Sequence, residues 1–327
     1  DAVVQFCSKF FFMLTRRHIR IKVFQNLYAL SKSPENTLER QQKLLKESID
    51  QSISLYLLQL NFFYALRQWA TRDLKARKNA YLESSKSVYA DPERFIHNPY
   101  LMAITETDAL RIHWKKHKIN QWYLNEKYVV KVYNEYVASP VYVNYMTAEK
   151  VSLKQHQEQL LSLFHDFVAP NDELYGFLED ECLSWADDFP VINTFIYKKL
   201  STLSLTENTA FDTIDELVSD DDRKFATALL AKIALNYKAY AKEIEGKTPN
   251  WDQDRITDVD KILLIMGIGE LLDFESIPPK VTLNEYLEIA KEYSTPKSSL
   301  FINGILDQLS KEFKENKRIK KAGRGLL

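Results

Sequence analysis

A chain of 327 residues, 45% hydrophobic and 27% charged, is long enough for two or three packed units and has the balance of an ordinary globular protein. Only seven glycines occur, and alternating β-branched runs with Asn-Gly turns are scarce, which excludes a sheet-rich protein and leaves an all-α one. The net charge of −1 does not exclude a polyanionic partner, because residues 13–32 carry Arg16, Arg17, Arg20, Lys22 and Lys32 without an acid and cations return from Lys311 onward, while acids gather at 179–181, 187–188 and 212–222.

The opening DAVVQFCSKFFFML is apolar, yet it is too short to span a bilayer and is followed rather than preceded by positive charge, so it is read neither as an anchor nor as a signal peptide. Cys7 and Cys182 fit no metal or redox spacing, and reduced cytoplasmic thiols are expected.

The spacing predicts a first helix from about Thr15 to Leu30, with Val23, Leu27 and Leu30 on its apolar face. Arg16 and Arg20 fall in line with that face where it runs out, so their guanidiniums are expected to project past the end of the core, either reaching phosphates or forming a basic turn with no partner. Ser33-Pro34-Glu35 opens a long second helix ending near 72–78. Its segment ISLYLLQLNFFYALRQW is apolar on more than one face, as in a central core helix.

Between 80 and 218, tryptophans at 122 and 185, and again at 251, are each followed by a branched apolar pair: Val129 with Val132, Ile192 with Phe195, Val259 with Ile262. This reads as repeated helical hairpins, with tryptophans that merely anchor helical turns as the alternative. Asp220-Asp221-Asp222 suits the start of a helix running to Glu243, with carboxylates at the positive dipole end.

No catalytic constellation emerges. His113 and His117 share a helical face at a spacing a metal could use, but Trp114 stands where a zinc-protease motif has its glutamate and Lys115 and Lys116 repel a cation. There is no Gly-rich phosphate loop, dinucleotide fingerprint or nucleophile elbow. A binding protein is expected, not an enzyme, with no cofactor and no metal.

The most specific stretch is IPPKVTLNEYLEIAKEYSTPKSSLFINGILDQLSKEF, residues 277–313. Thr282 and Glu285 read as a capping box that starts a helix near Leu283, with Leu283, Tyr286, Leu287, Ala290 and Tyr293 on its apolar face. Thr295 and Pro296 read as the N-cap and first residue of the next helix, whose buried stripe is Ile302, Ile305, Leu306, Leu309 and Phe313. Phe301 falls off that stripe beside Lys297, Gly304 and Gln308. There it would either stack an unpaired base or pack under a neighbouring helix that Gly304 admits.

This stretch resembles the C-terminal signature of the NusB family of transcription antitermination factors, down to the Phe-Ile-Asn-Gly-Ile-Leu-Asp of residues 301–307. Arg16-Arg17-His18-Ile19-Arg20 followed by Gln25-Asn26-Leu27-Tyr28 is similar to the same family's arginine-rich first helix. Because this family-like sequence begins beside Met13, residues 1–12 are expected to be an extension before the native start.

The resemblance implies a helical bundle of two subdomains built from residues 13–79 and 219–315, with a helical insert at 80–218 and a basic tail at 316–327. It implies binding of boxA-like single-stranded RNA together with the ribosomal protein NusE, within the antitermination complex of RNA polymerase, in the cytoplasm and away from membranes. Carried over by position, Arg16, Arg17, Arg20, Lys297, Ser298 and Phe301 would meet RNA, and Tyr28 and Asp260 the protein partner. His18 stands where the family can have arginine and Lys297 where it can have an acid. The alternative is a protein–protein scaffold with weak or no RNA binding, whose mark would be exposed aromatics in the tyrosine-rich stretch 123–145.

Overall fold

The computed structural model describes residues 14–33, 35–79, 92–206, 217–247 and 256–326, and all regular structure among them is helical. In chain order the helices are α1 (Arg16–Lys32), α2 (Leu38–Asn79), α3 (Glu93–Ile96), α4 (Pro99–Thr105), α5 (Asp108–Lys116), α6 (Gln121–Leu124), α7 (Glu126–Val137), α8 (Pro140–Thr147), α9 (Leu153–Ser162), α10 (Asp172–Glu181), α11 (Trp185–Thr202), α12 (Asp220–Ile244), α13 (Asp258–Asp273), α14 (Pro279–Tyr293) and α15 (Pro296–Glu315). The chain separates into two compact units, one of residues 50–217 and one of residues 14–49 with 218–327, so the unit boundary falls inside α2.

The unit of residues 14–49 and 218–327 is built around α13, which packs on α1, α12, α14 and α15. Every residue from Ile262 to Leu271 is buried, as an all-round apolar helix requires. Gly269 permits the closest approach: a Cβ there would sit 2.2 Å from Cδ1 of Ile233 on α12. The helix starts are chemically marked, with the hydroxyls of Thr15, Ser219, Thr257 and Thr295 each accepting a main-chain N–H of the first turn. After α15 the chain reverses through Lys317 (φ 54°) and runs back to the end of α13. There the Ala322 N–H donates to the Glu275 carbonyl, and the Lys321 ammonium donates to the carbonyls of Glu270 and Phe274. The segment expected as a basic tail is therefore folded onto the bundle, and Arg318 is held bidentately by Glu243.

In the other unit the Asp50-to-Asn79 part of α2 is the central element, as its multi-faced apolar sequence predicts. Three indole N–H groups donate to its carbonyls: Trp185 to Gln51, Trp114 to Leu57 and Trp122 to Leu58. Rings pack along it in pairs, Tyr56 with Phe195, Phe62 with Trp122 and Phe63 with Phe164.

The tryptophan spacing does not mark equivalent hairpins. Trp122 stands on the short α6, ahead of the helix that carries Val129 and Val132, whereas Trp185 opens the same helix that carries Ile192 and Phe195; Trp251 lies outside the described residues. What the two described tryptophans share is a bond to α2. The tyrosine-rich stretch is core as well. Tyr133, Tyr136, Tyr142 and Tyr145 are buried, and Tyr123 alone among the tyrosines from 123 to 145 is largely exposed, at 85%.

Burial holds the phenols of Tyr56, Tyr136 and Tyr286 above their ordinary pKa. An unfolded tyrosine ionises near about pH 10, so the stabilisation from keeping these groups neutral is complete below that pH and lost as pH rises past it. The melting temperature is expected to fall above about pH 10, with stability declining by about 1.4 kcal/mol per pH unit for each phenol that unfolding ionises. A melting temperature constant from about pH 9 to pH 11 would contradict this assignment.

Candidate nucleic-acid interface

The first turn of α1 sets the site. Thr15 caps it by accepting the His18 N–H at 3.2 Å, and the next two residues reach solvent before the helix turns into the core at His18. Arg16 and Arg17 keep 45% and 41% of their side chains exposed, while His18, Ile19 and Arg20 are buried.

Arg20 departs from the expectation that its guanidinium projects past the core. It is 1% exposed and forms two parallel 2.8 Å bonds to Glu270, which is itself fully buried on α13. Desolvation opposes the charge on Arg20, but the adjacent Glu270 carboxylate outweighs it and raises the pKa above its ordinary value. Glu270 also accepts the Thr282 hydroxyl at 2.8 Å and the Tyr286 hydroxyl at 3.2 Å, both from α14. Periodicity placed Arg20 on the apolar face; a carboxylate 250 residues away makes that face its end point rather than a way out.

The same network explains why Thr282 caps nothing. Helix α14 begins earlier, at Pro279, where proline is pre-set for a first helical position, and the Thr282 hydroxyl is given to Glu270. The buried face of α14 accordingly carries Thr282, Tyr286, Ile289 and Ala290, with Leu283, Leu287 and Tyr293 at its margins. Glu285 turns toward α1, meeting Arg17 through two bonds of 3.0 and 3.3 Å and Arg20 at 3.5 Å.

Arg16 donates its Nε to Asp222 at 3.0 Å, and its guanidinium lies 4.6 Å above the Phe225 ring. Its two terminal nitrogens have no partner among the described residues. Together Thr15, Arg16, Arg17, Ile277, Pro278 and Glu285 line most of an open groove of about 790 Å³, to which Arg20 adds a wall. Among the described residues of this lining Glu285 is the one acid, and it is already occupied by arginine.

The α14–α15 corner is tied down from beneath. Asp260, at the start of α13, accepts the Ser294 hydroxyl at 2.6 Å and the Ser298 hydroxyl at 2.9 Å. Asp260 and Ser298 are both buried, so the expectation that they face a partner or RNA gives way to a strut that fixes the corner. Phe301 is 8% exposed and Lys297 is exposed. Gly304 borders open space, since a Cβ there would meet nothing within 4 Å; it does not admit a neighbouring helix. Tyr28 remains 36% exposed, with the Lys32 ammonium over its ring.

Glu270 went unnoticed in the sequence, and Asp222 and Glu285, read there as helix-start acids, serve as partners of Arg16 and Arg17. The available signal was a lone acid, Glu270, inside the otherwise uncharged run ILLIMGIGELL, where an unpaired carboxylate would be too costly to bury. His113 and His117 lie with ring centroids 6.2 Å apart, and among the described residues no group of three or more His, Cys, Asp or Glu side chains is arranged to hold a metal ion. Among those residues no helix is long and apolar enough to cross a membrane.

The unit is a helical bundle whose first described helix carries arginines on its first turn and is locked to the central helix by a buried carboxylate. The NusB family profile matches residues 194–311. The chain is 37% identical over 138 residues to the transcription antitermination protein NusB of Salinibacter ruber, covering 40% of this chain and 86% of that protein. It is 39% identical over 114 residues to the NusB of Chloroherpeton thalassium, covering 35% of this chain and 54% of that one. Over 91 residues it is 44% identical to the NusB of Methylacidiphilum infernorum, covering 28% and 64%. No solved structure gives a significant match. The chain belongs to the NusB family.

The Arg20–Glu270 pair makes a sharp prediction. Glu270→Gln keeps an acceptor for Thr282 and Tyr286 but leaves a buried guanidinium without its main counter-charge, and should cost about 3–5 kcal/mol in urea unfolding. Adding Arg20→Met removes the stranded charge, so the double variant should recover most of that loss. Equal stability of Glu270→Gln and the parent would refute the network.

Proposed function

We propose that this protein is a non-enzymatic transcription antitermination factor that binds boxA-like single-stranded RNA together with the ribosomal protein NusE, in the cytoplasm. The observation that carries this reading is the pair of solvent-facing arginines, Arg16 and Arg17, held over a groove by the buried Arg20 in a chain of the NusB family. Its relatives bear the name transcription antitermination protein.

The chemistry suits a phosphate chain. Asp222 and Glu285 hold Arg16 and Arg17 from the core side, while 45% and 41% of the two arginine side chains stay exposed and can meet phosphate oxygens. Each guanidinium is held near the groove beforehand, which reduces the ordering entropy of binding. Lys297 supplies a further exposed cation at the α14–α15 corner. Arg20 and Ser298 act from below, the first by fixing α1 and the second by fixing the corner. Phe301 offers a base only its exposed edge unless the start of α15 shifts.

Tyr28 is the accessible candidate for the NusE side, and Asp260 acts there through the corner it ties down. The domain reading becomes a discontinuous RNA-binding bundle of residues 14–49 and 218–327, interrupted by a helical insert of residues 50–217. The scaffold alternative is weakened, because Tyr133, Tyr136, Tyr142 and Tyr145 of the stretch it relied on are core.

Fluorescence anisotropy with a boxA-like RNA and a scrambled control, with and without NusE, tests the proposal. Selective binding that tightens with NusE is expected. Arg17→Ala should weaken binding and lower the salt slope by about 0.7, the single-strand value for one phosphate contact. Absence of RNA binding in either condition, with a folded protein, would overturn the reading.

A further inference from the structure

A second cationic groove lies beside the arginine groove in the same compact unit. Its volume is about 540 Å³, and lysines from three separate segments border it: Lys280 from the first turn of α14, Lys311 and Lys314 from α15, and Lys321 from the segment that folds back after α15. Pro278, Pro279, Ser310, Ile319, Gly325 and Leu326 also line it, and no acid stands among the described residues of the lining.

Four like charges round one cleft repel one another unless an anion is shared between them. Lys280, Lys311 and Lys314 are exposed. Lys280 and Lys314 have no partner among the described residues, and Lys311 pairs only with Asp307 one helical turn away, where both side chains are exposed. Lys321 is committed to the carbonyls of Glu270 and Phe274, so it holds the floor in place and adds its charge to the field. The fit is tight at Gly325, where a Cβ would fall 1.9 Å from the Glu275 carbonyl oxygen. The returning segment is thus seated against the Glu275 turn.

Two features identify the occupant. Pro278 lines both this groove and the one bearing Arg16 and Arg17, so the two are contiguous. In addition, Lys314, Ile319, Lys321, Gly325 and Leu326 lie beyond the residues that the family profile matches, on the end of α15 and the segment that folds back to the Glu275 turn. We propose that the lysine groove binds the phosphates of the RNA strand that the arginine groove holds, extending the bound length past Pro278. The proposal rests on the RNA-binding reading above. Lysine, as a hydrated point charge, gives such a contact strength without demanding a base sequence.

The test uses the full chain, the boxA-like RNA, and the same RNA lengthened by a short run of uridines at its 5′ or its 3′ end. Lys280→Gln with Lys314→Gln removes two exposed charges that have no partner among the described residues, so the fold should be retained, as circular dichroism and melting can verify. The parent protein should bind one of the lengthened RNAs more tightly than the short one, with a steeper salt slope. The double variant should lose that gain and lower the slope for the lengthened RNA by about 1.4, two single-strand contacts of about 0.7 each, while its affinity for the short RNA stays within twofold of the parent.

If the parent binds the short RNA but gains nothing from either extension, or if the double variant keeps the gain, the lysine groove is not an RNA site and the proposal falls while the RNA-binding reading stands. If polyglutamate displaces the extension as well as uridine oligomers do, the groove selects acidic chains in general and the proposal also falls. If no RNA binds at all, the underlying reading fails first.

Discussion

A single buried ion pair organises the site-bearing unit. Glu270 sits in the last turn of α13 with no access to water, and its two oxygens are filled by Arg20 from α1 and by Thr282 and Tyr286 from α14. A carboxylate and a guanidinium withdrawn from solvent are tolerated only when geometry and extra hydrogen bonds compensate their desolvation, and here both are present. The consequence is directional. With the Arg20 rotamer locked, the first turn of α1 can face only one way, and Arg16 and Arg17 come out on the groove side. An apolar pair in the same place could match the stability but would not specify the angular setting of α1 as narrowly.

That dependence shows where sequence reasoning reaches and where it stops. Features governed by neighbours along the chain were legible: the all-helical class, the start of α1 near Thr15, the N-cap at Thr295, the acidic start of α12, the length of α2 and the buried stripe of α15 all follow from spacing and local hydrogen bonding. Features governed by distant partners were not. Thr282 followed by Glu285 has the form of a capping box, but Glu270 competes for the threonine hydroxyl and Arg17 for the glutamate, so both residues serve tertiary bonds. Arg20 and Asp260 resembled surface contacts because a charged residue reads as exposed until its counter-ion or hydroxyl partners are known. The tryptophan spacing reflected anchor points on α2, where helix carbonyls accept indole N–H groups in addition to their own ladder, and not a duplicated unit.

The family relationship and the compact units describe the same molecule from two directions. The profile match at 194–311 takes in α12, α13, α14 and all but the last turn of α15 and omits α1, yet α1 packs against α12, α13 and α14. The bundle is therefore completed by a helix that comes from the opposite end of the chain. Basic residues are distributed in the same manner. Net charge is close to neutral, but within this unit the arginines of α1 and the lysines of α14, α15 and the returning segment collect along two neighbouring grooves. A ligand responds to that local field rather than to the sum.

The 250-residue separation between Arg20 and Glu270 also sets an order of assembly on the ribosome. At about 5–20 residues per second, roughly 12–50 s pass between synthesis of the arginine and of its counter-ion. During that time α1 has neither its buried charge partner nor the apolar faces of α12 and α13 to cover Val23 and Leu27. Residues 50–217 form a compact unit of their own and are complete well before Glu270 is made. The arginine-bearing helix is thus the first element synthesised among the described residues and among the last to be seated, so the nascent chain carries a basic amphipathic segment that stays open to chaperones, or to nearby RNA, until the C-terminal helices arrive.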